Sequence, residues 1–140
     1  MITNHSIDKR EERVNQISNF LKENIVPGDT VQPLDWTGGT IHALLRSKTM
    51  IATPFIYDFH FYHHVSTSYI QQLRNRFIRD LQNSKPRFIL QVTDEDKPWV
   101  SGADTTREFK ELQSILEEHY KIVLKGNGYL IYQLRSRTSP

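Results

Sequence analysis

The sequence contains no cysteine. A disulfide scaffold, a thiolate nucleophile and Cys-ligated zinc or iron–sulfur chemistry are therefore excluded, while the compartment stays open. No apolar run approaches the roughly 18 residues of a membrane-spanning helix. Met1 to Arg13 carries no apolar core of a secretory signal. Neither sign of charge dominates: 18 Lys+Arg against 16 Asp+Glu leave a net charge of +2. That balance gives no expectation of a nucleic-acid partner. No G-x-G-x-x-G, no phosphate loop with Lys followed by Ser or Thr, and no G-x-S-x-G occurs. What remains is a chain of 140 residues, 37% hydrophobic and 24% charged, with a mean hydropathy of −0.56. That is one domain's worth of sequence.

The apolar residues are grouped periodically. Val14, Ile17, Leu21 and Ile25 fall at steps of three and four, with Phe20 beside them. They predict a helix over Lys9–Ile25, stopped by Pro27-Gly28-Asp29. Thr30–Trp36 reads as extended, and Pro33 marks it as an edge strand, a bulged strand or two short pieces. Thr37-Gly38-Gly39-Thr40 is a turn into a short helix carrying Ile41, Leu44 and Leu45. A short strand over Met50–Thr53 and an aromatic loop over 55–64 follow. Ile70, Leu73, Phe77 and Leu81 predict a helix over Ser68–Asn83, capped by Ser66, Thr67 or Ser68. Phe88-Ile89-Leu90-Gln91-Val92 is the clearest buried strand. Thr105 and Glu108 read as a capping box for a helix with Phe109, Leu112, Ile115 and Leu116 on its core face. Gly126-Asn127-Gly128 joins two last strands as a hairpin.

This order, α-β-α-β-α-β-α-β-β, predicts an α/β fold. The expected architecture is a three-layer, Rossmann-like sandwich: a mostly parallel sheet with a C-terminal antiparallel hairpin at its edge. The expected organisation is a flexible N-terminal segment (1–8), one α/β domain (9–135) and a flexible tail (136–140).

Three clusters are candidate sites. Asp35, Gly38 and Gly39 follow the first strand, where α/β sheets bind ligands and where glycine lets backbone approach them. The same segment also reads as an ordinary tight turn into a helix. Asp58, His60, His63 and His64 supply carboxylate and imidazole within seven residues of a Tyr- and Phe-rich stretch. That donor set suits a divalent metal, and equally an aromatic loop with histidine filler. Asp94 and Asp96 follow the clearest strand, where carboxylates contact magnesium or ribose or simply solubilise a loop. Charge is also uneven. Ser66–Leu90 holds five bases and one acid, and Gln91–Tyr120 eight acids and three bases. Solvated helix faces account for this pattern. The sharper alternative is a surface for anionic lipid headgroups, carried by Arg74, Arg76, Arg79, Arg135 and Arg137.

Three passages resemble a known family. They are Ile17–Val31, a helix, a Pro-Gly-Asp turn and a strand; Pro86–Leu90, a turn opening a buried strand; and Leu116–Val123 with Gly128–Arg135, a helix ending in Tyr, a strand, and a glycine hairpin leading to a Tyr-rich strand. The stretch from Val14 to Leu134 resembles the soluble C-terminal domain of polytopic membrane glycosyltransferases that use polyprenyl-phosphate sugars, the protein O-mannosyltransferase and aminoarabinose transferase superfamily. The chain departs from that pattern at Pro33–Gly39. The resemblance implies a non-catalytic accessory domain, without cofactor and without catalytic residues of its own, that acts in acceptor recognition, stability or assembly. Its expected partners are the membrane part of the parent protein, lipid headgroups, or a glycan or protein acceptor. The expected location is extracytoplasmic, or cytoplasmic if the chain is complete at 140 residues. Two other readings stand beside it. One is a Rossmann-like enzyme, methyltransferase-like or metal-dependent, with a site at the carboxyl edge of the sheet. The other is an interaction module anchored by Tyr57, Phe59, Phe61 and Tyr62.

Overall fold

A computed structural model describes residues 5–34, 39–53, 59–93 and 100–135, with the side chains of 5–9 and of Phe59 and His60 left aside. The elements are α1 (His5–Asn24), β1 (Thr30–Pro33), α2 (Thr40–Ser47), β2 (Met50–Ile51), α3 (Phe59–Tyr62), α4 (Ser68–Ser84), β3 (Phe88–Val92), α5 (Lys110–His119), β4 (Tyr120–Gly126) and β5 (Tyr129–Leu134). The strands form one five-stranded sheet in the order β2-β1-β3-β5-β4. β2, β1 and β3 run parallel, and β3, β5 and β4 run antiparallel. The sheet is therefore mixed: parallel at one end, antiparallel where the C-terminal hairpin joins.

Alternation along the strands divides the core in two, because neighbouring side chains face opposite sides of a sheet. Phe88 and Leu90 of β3 join Val14, Ile17 and Leu21 of α1, Ala43 and Leu44 of α2, and Val31, Tyr129 and Ile131. Ile89 joins Phe61, Phe77, Leu81, Phe109, Leu112, Ile115 and Leu116 on the other side. Helices thus cover both faces, and β3 is buried on both, which is why four of its five residues are apolar, Gln91 being the exception. The hairpin turns at Asn127-Gly128, and β4 forms the outer edge with a register shift between Ile122 and Leu124. Such a bulge twists an edge away from further pairing.

Three sequence expectations need correction. Pro33 does not mark an edge: β1 is paired on both sides. The proline is tolerated because it is the last residue of β1, and β2 beside it has already ended at Ile51. The capping box of Thr105 and Glu108 does not form. Thr106 Oγ1 instead accepts from the Glu108 N–H at 3.0 Å, and α5 starts only at Lys110, after Phe109. Phe109 is held in an aromatic cluster with Phe61 (5.6 Å between ring centres) and Phe77 (6.2 Å), and that contact delays the helix. The aromatic stretch is also not wholly loop, since Phe59–Tyr62 is a helical turn. The cap of α4 is Thr67, one of the three expected residues, whose hydroxyl accepts from the Ile70 N–H.

Candidate functional site

β1, β2 and β3 run parallel, so the segments after them leave from one end of the sheet. The chain passes from β1 to β2 on one side and returns past β1 to β3 on the other, so the strand order switches between β1 and β3. In α/β sheets that switch point is where a ligand crevice forms. The sequence candidates follow these three strands in the chain. Asp35, Gly38, Asp58, Asp94 and Asp96 lie outside the described residues, as does the side chain of His60.

Gly39 is described, and it has a packing reason to be glycine. Its φ is +94°, and a Cβ there would lie 2.7 Å from Cγ2 of Val14. It opens α2 against α1 at a distance that no side chain permits. Preceding Val14 on α1 is a residue that the sequence reading missed: Arg13 is only 2% exposed. The signal was available, because Arg13 stands four residues before Ile17 and shares its buried face. Its charge is felt by Tyr129, whose phenol pKa is raised chiefly by burial, then by Glu12, with Arg13 acting in the opposite direction. Tyr129 donates to Gln16 Oε1 at 2.8 Å, which ties β5 to α1.

Gln32 is the second missed residue. Fully buried in β1, it accepts through Oε1 from the Thr53 N–H at 3.0 Å and the Thr53 hydroxyl at 2.7 Å, and it donates through Nε2 to the Pro33 carbonyl at 2.8 Å. Its amide holds the chain beyond β2 to β1 where Pro33 has no N–H to offer.

His63 is 7% exposed and bridges antiparallel to Thr105. Its Nε2 accepts from the Ser101 N–H at 3.3 Å. His64 is exposed, with φ +55°, and its carbonyl accepts from Thr67. Among the described residues no group of three or more His, Asp or Glu is gathered as a metal site requires. Phe61 and Tyr62 are core residues at 5% and 8% exposure, so they are not surface anchors for a partner. Tyr57 and the Phe59 side chain lie outside the described residues. Arg74 leaves the basic surface as well. Its guanidinium lies 4.1 Å from the Phe109 ring centre and bonds the Glu108 carbonyl, and burial lowers its pKa.

A cavity of about 610 Å³ lies at the opposite end of the sheet from these loops. It is lined by Leu81, Ile115, Tyr120 and Leu134 with Lys85 and Arg135 at its rim. None of the described sequence candidates, Gly39, His63 and His64, lines it. A second cavity, of about 580 Å³, lies between α1 and the hairpin turn, lined by Gln16, Phe20, Leu124 and Tyr129, at the carboxyl end of β3.

The amino end of β3 is where the three family-like passages meet. Asp29, from the first, accepts from the Val26 N–H at 3.1 Å and pairs with Arg87, from the second, at 3.3 Å. The Arg87 N–H donates to the Thr30 carbonyl, and the Arg87 carbonyl accepts from Leu134 of the third passage. Tyr120, also of the third, donates to the Pro86 carbonyl at 2.7 Å.

No family model matches the chain, and no curated protein matches it at a significant level. Among solved structures it is similar to the C-terminal globular domain of an oligosaccharyltransferase from Archaeoglobus fulgidus. The identity is 12% and the TM-score 0.47, with 86% of this chain and 96% of that chain covered. No helix among the described residues is long and apolar enough to cross a membrane.

Proposed function

We propose that this chain is an accessory domain of a membrane glycosyltransferase that uses a polyprenyl-phosphate sugar, and that it serves acceptor recognition, stability or assembly rather than the transfer step. The observation that supports this reading is the corner built by Asp29, Arg87, Pro86 and Tyr120. The three passages that carry the sequence resemblance are far apart in the chain, yet they bond to one another there. The passages contribute β1, β3 and β5, neighbours in the sheet, and their bonds there are scaffold rather than chemistry, which suits an accessory domain. The resemblance leaves the transfer chemistry to the membrane part of such enzymes. An extracytoplasmic location and a membrane-bound parent follow from the same reading.

One observation favours a second reading, an enzyme of Rossmann-like fold with a site at the carboxyl edge: the strand order switches between β1 and β3, beside Gly39. The two readings separate in a thermal-shift and turnover assay of the purified chain. The accessory-domain reading expects no sugar transfer from a polyprenyl-phosphate donor. It also expects no stabilisation by nucleotides, S-adenosylmethionine or divalent cations. A ligand that binds the folded state raises stability by RT ln(1 + [L]/Kd), so a saturable shift with any of them would overturn it in favour of the enzyme.

A further inference from the structure

Of the six large apolar side chains exposed among the described residues, Tyr69 on α4 (67%) and Ile122 on β4 (49%) stand apart, and the other four lie together. Leu45 is 72% exposed, Met50 70%, Val26 51% and Ile51 39%. All four belong to one corner. Thr30 and Met50 are register partners, so β1 and β2 begin side by side. Val26 sits in the turn that leads into β1, where its carbonyl accepts from Asp29. Leu45 sits in the last turn of α2, and a tight turn leads from there to β2: Lys48 N–H bonds the Leu45 carbonyl, and Thr49 N–H the Leu44 carbonyl. The corner is therefore the amino end of the parallel strands at the β2 edge, where α1 and α2 both end.

The charge there is of one dominant sign. Lys22 lies in the last turn of α1, Arg46 in the last turn of α2, and Lys48 caps α2, all three exposed. Between Asp35 and Asp58 the sequence has no acidic residue. Of the acids that α1 and its turn bring, Glu23 offsets one base, and Asp29 is paired with Arg87. Arg46 bonds Asn15 of α1, a neutral partner.

Apolar side chains ringed by lysine and arginine suit a surface that is apolar below and anionic above. The other occupants fit less well. β2 has only two residues, so as an edge it offers an added peptide strand few backbone partners. A second copy docked by two-fold symmetry would set the same basic residues against each other.

We propose that the β2 corner is a membrane-contact surface for an anionic bilayer. Leu45, Met50 and Val26 enter the boundary between headgroups and acyl chains, while Lys22, Arg46 and Lys48 lie against lipid phosphates. The contact goes beyond the accessory-domain reading and does not depend on which enzyme the domain serves.

The test is flotation of the purified chain with phosphatidylcholine vesicles, with and without phosphatidylglycerol. Binding is expected only with the anionic lipid, weakening as salt screens the charges. Lys48→Asn, which suits the left-handed backbone there, and Lys22→Gln should each weaken binding roughly fivefold. Leu45→Ser with Met50→Ser should abolish it. Tyr69→Ser removes a similarly exposed ring at the start of α4 and should change nothing. All these side chains are exposed, so unchanged melting curves would separate lost binding from lost folding. Three results would overturn the proposal: no flotation with anionic vesicles, equal flotation of the Leu45/Met50 variant, or self-association of the chain that the same variant abolishes.

Discussion

The side chain of Gln32, in the middle of the sheet, takes both the N–H and the hydroxyl of Thr53, two residues past the end of β2. The pair substitutes for backbone pairing at the point where β1 reaches Pro33. It also fixes where the segment after β2 leaves the sheet. Gln32→Ala leaves the buried Thr53 N–H without its acceptor, and unpaired buried groups are costly to leave unsatisfied. The expected loss is about 2–3 kcal/mol in urea unfolding. Thr53→Val removes only the hydroxyl bond and should cost less, about 1 kcal/mol.

Gly39 meets Val14 at the start of α2. Gly39→Ala adds a clash to a left-handed backbone and should destabilise by about 1–3 kcal/mol. Combining it with Val14→Ala should recover the steric part but not the backbone part. The double-mutant cycle would then show a coupling energy of opposite sign to the Gly39→Ala cost. Strict additivity would place the two residues out of contact.

Two tyrosines set the behaviour at high pH. Burial raises the phenol pKa of Tyr132 and is the leading cause of the rise at Tyr129. A raised phenol pKa means that the neutral form is the one favoured by folding. The stabilisation is therefore complete below the unfolded value of about 10 and is lost as pH rises through the folded values. Ionised Tyr132 would also lose its 2.9 Å bond to Gln91. Unfolding measured from pH 7 upward should show no tyrosine-linked change until about pH 10 and a fall beyond it, shallower in Tyr132→Phe.

The corner at the amino end of β3 gives a graded pair of tests. Tyr120 is buried, and Tyr120→Phe frees the Pro86 carbonyl for a loss of about 1 kcal/mol. The Arg87–Asp29 pair is partly open to solvent, with its arginine side chain 32% exposed. Screening limits its value, so Arg87→Met should cost under about 1 kcal/mol. Chemical denaturation of the two variants checks the order.

Much of the scaffold could be read from the chain because pattern and packing agreed there. Phe88–Val92 is apolar but for Gln91 because helices cover both its faces. The stripe from Ile70 to Leu81 and the turn at Asn127-Gly128 follow local rules that no long-range contact opposes. The start of α5 could not be read. Its capping pattern is a local preference, and the aromatic cluster around Phe109, assembled from residues up to 48 positions apart (Phe61 to Phe109), overrides it. Pro33 misled for a related reason, since a proline is excluded only where a neighbour needs its N–H, and neighbours are not visible in sequence. After the parallel strands the sequence offers acids and glycines, while the described residues there are held by the contact of Gly39 with Val14 and by Gln32, with Arg13 buried beside Val14 in the chain. Of these, the sequence points only to Gly39, as a place of ligand approach or a tight turn rather than as a contact of Val14. Arg13 and Gln32 were passed over because polar residues on core-facing positions read as surface.

The central claim is that this chain works as part of a membrane enzyme. The most direct test is an immunoblot of fractionated source cells, raised against the α4–β3 region. The account predicts a band well above 16.5 kDa in the membrane fraction. A band near 16.5 kDa in the soluble fraction would contradict it.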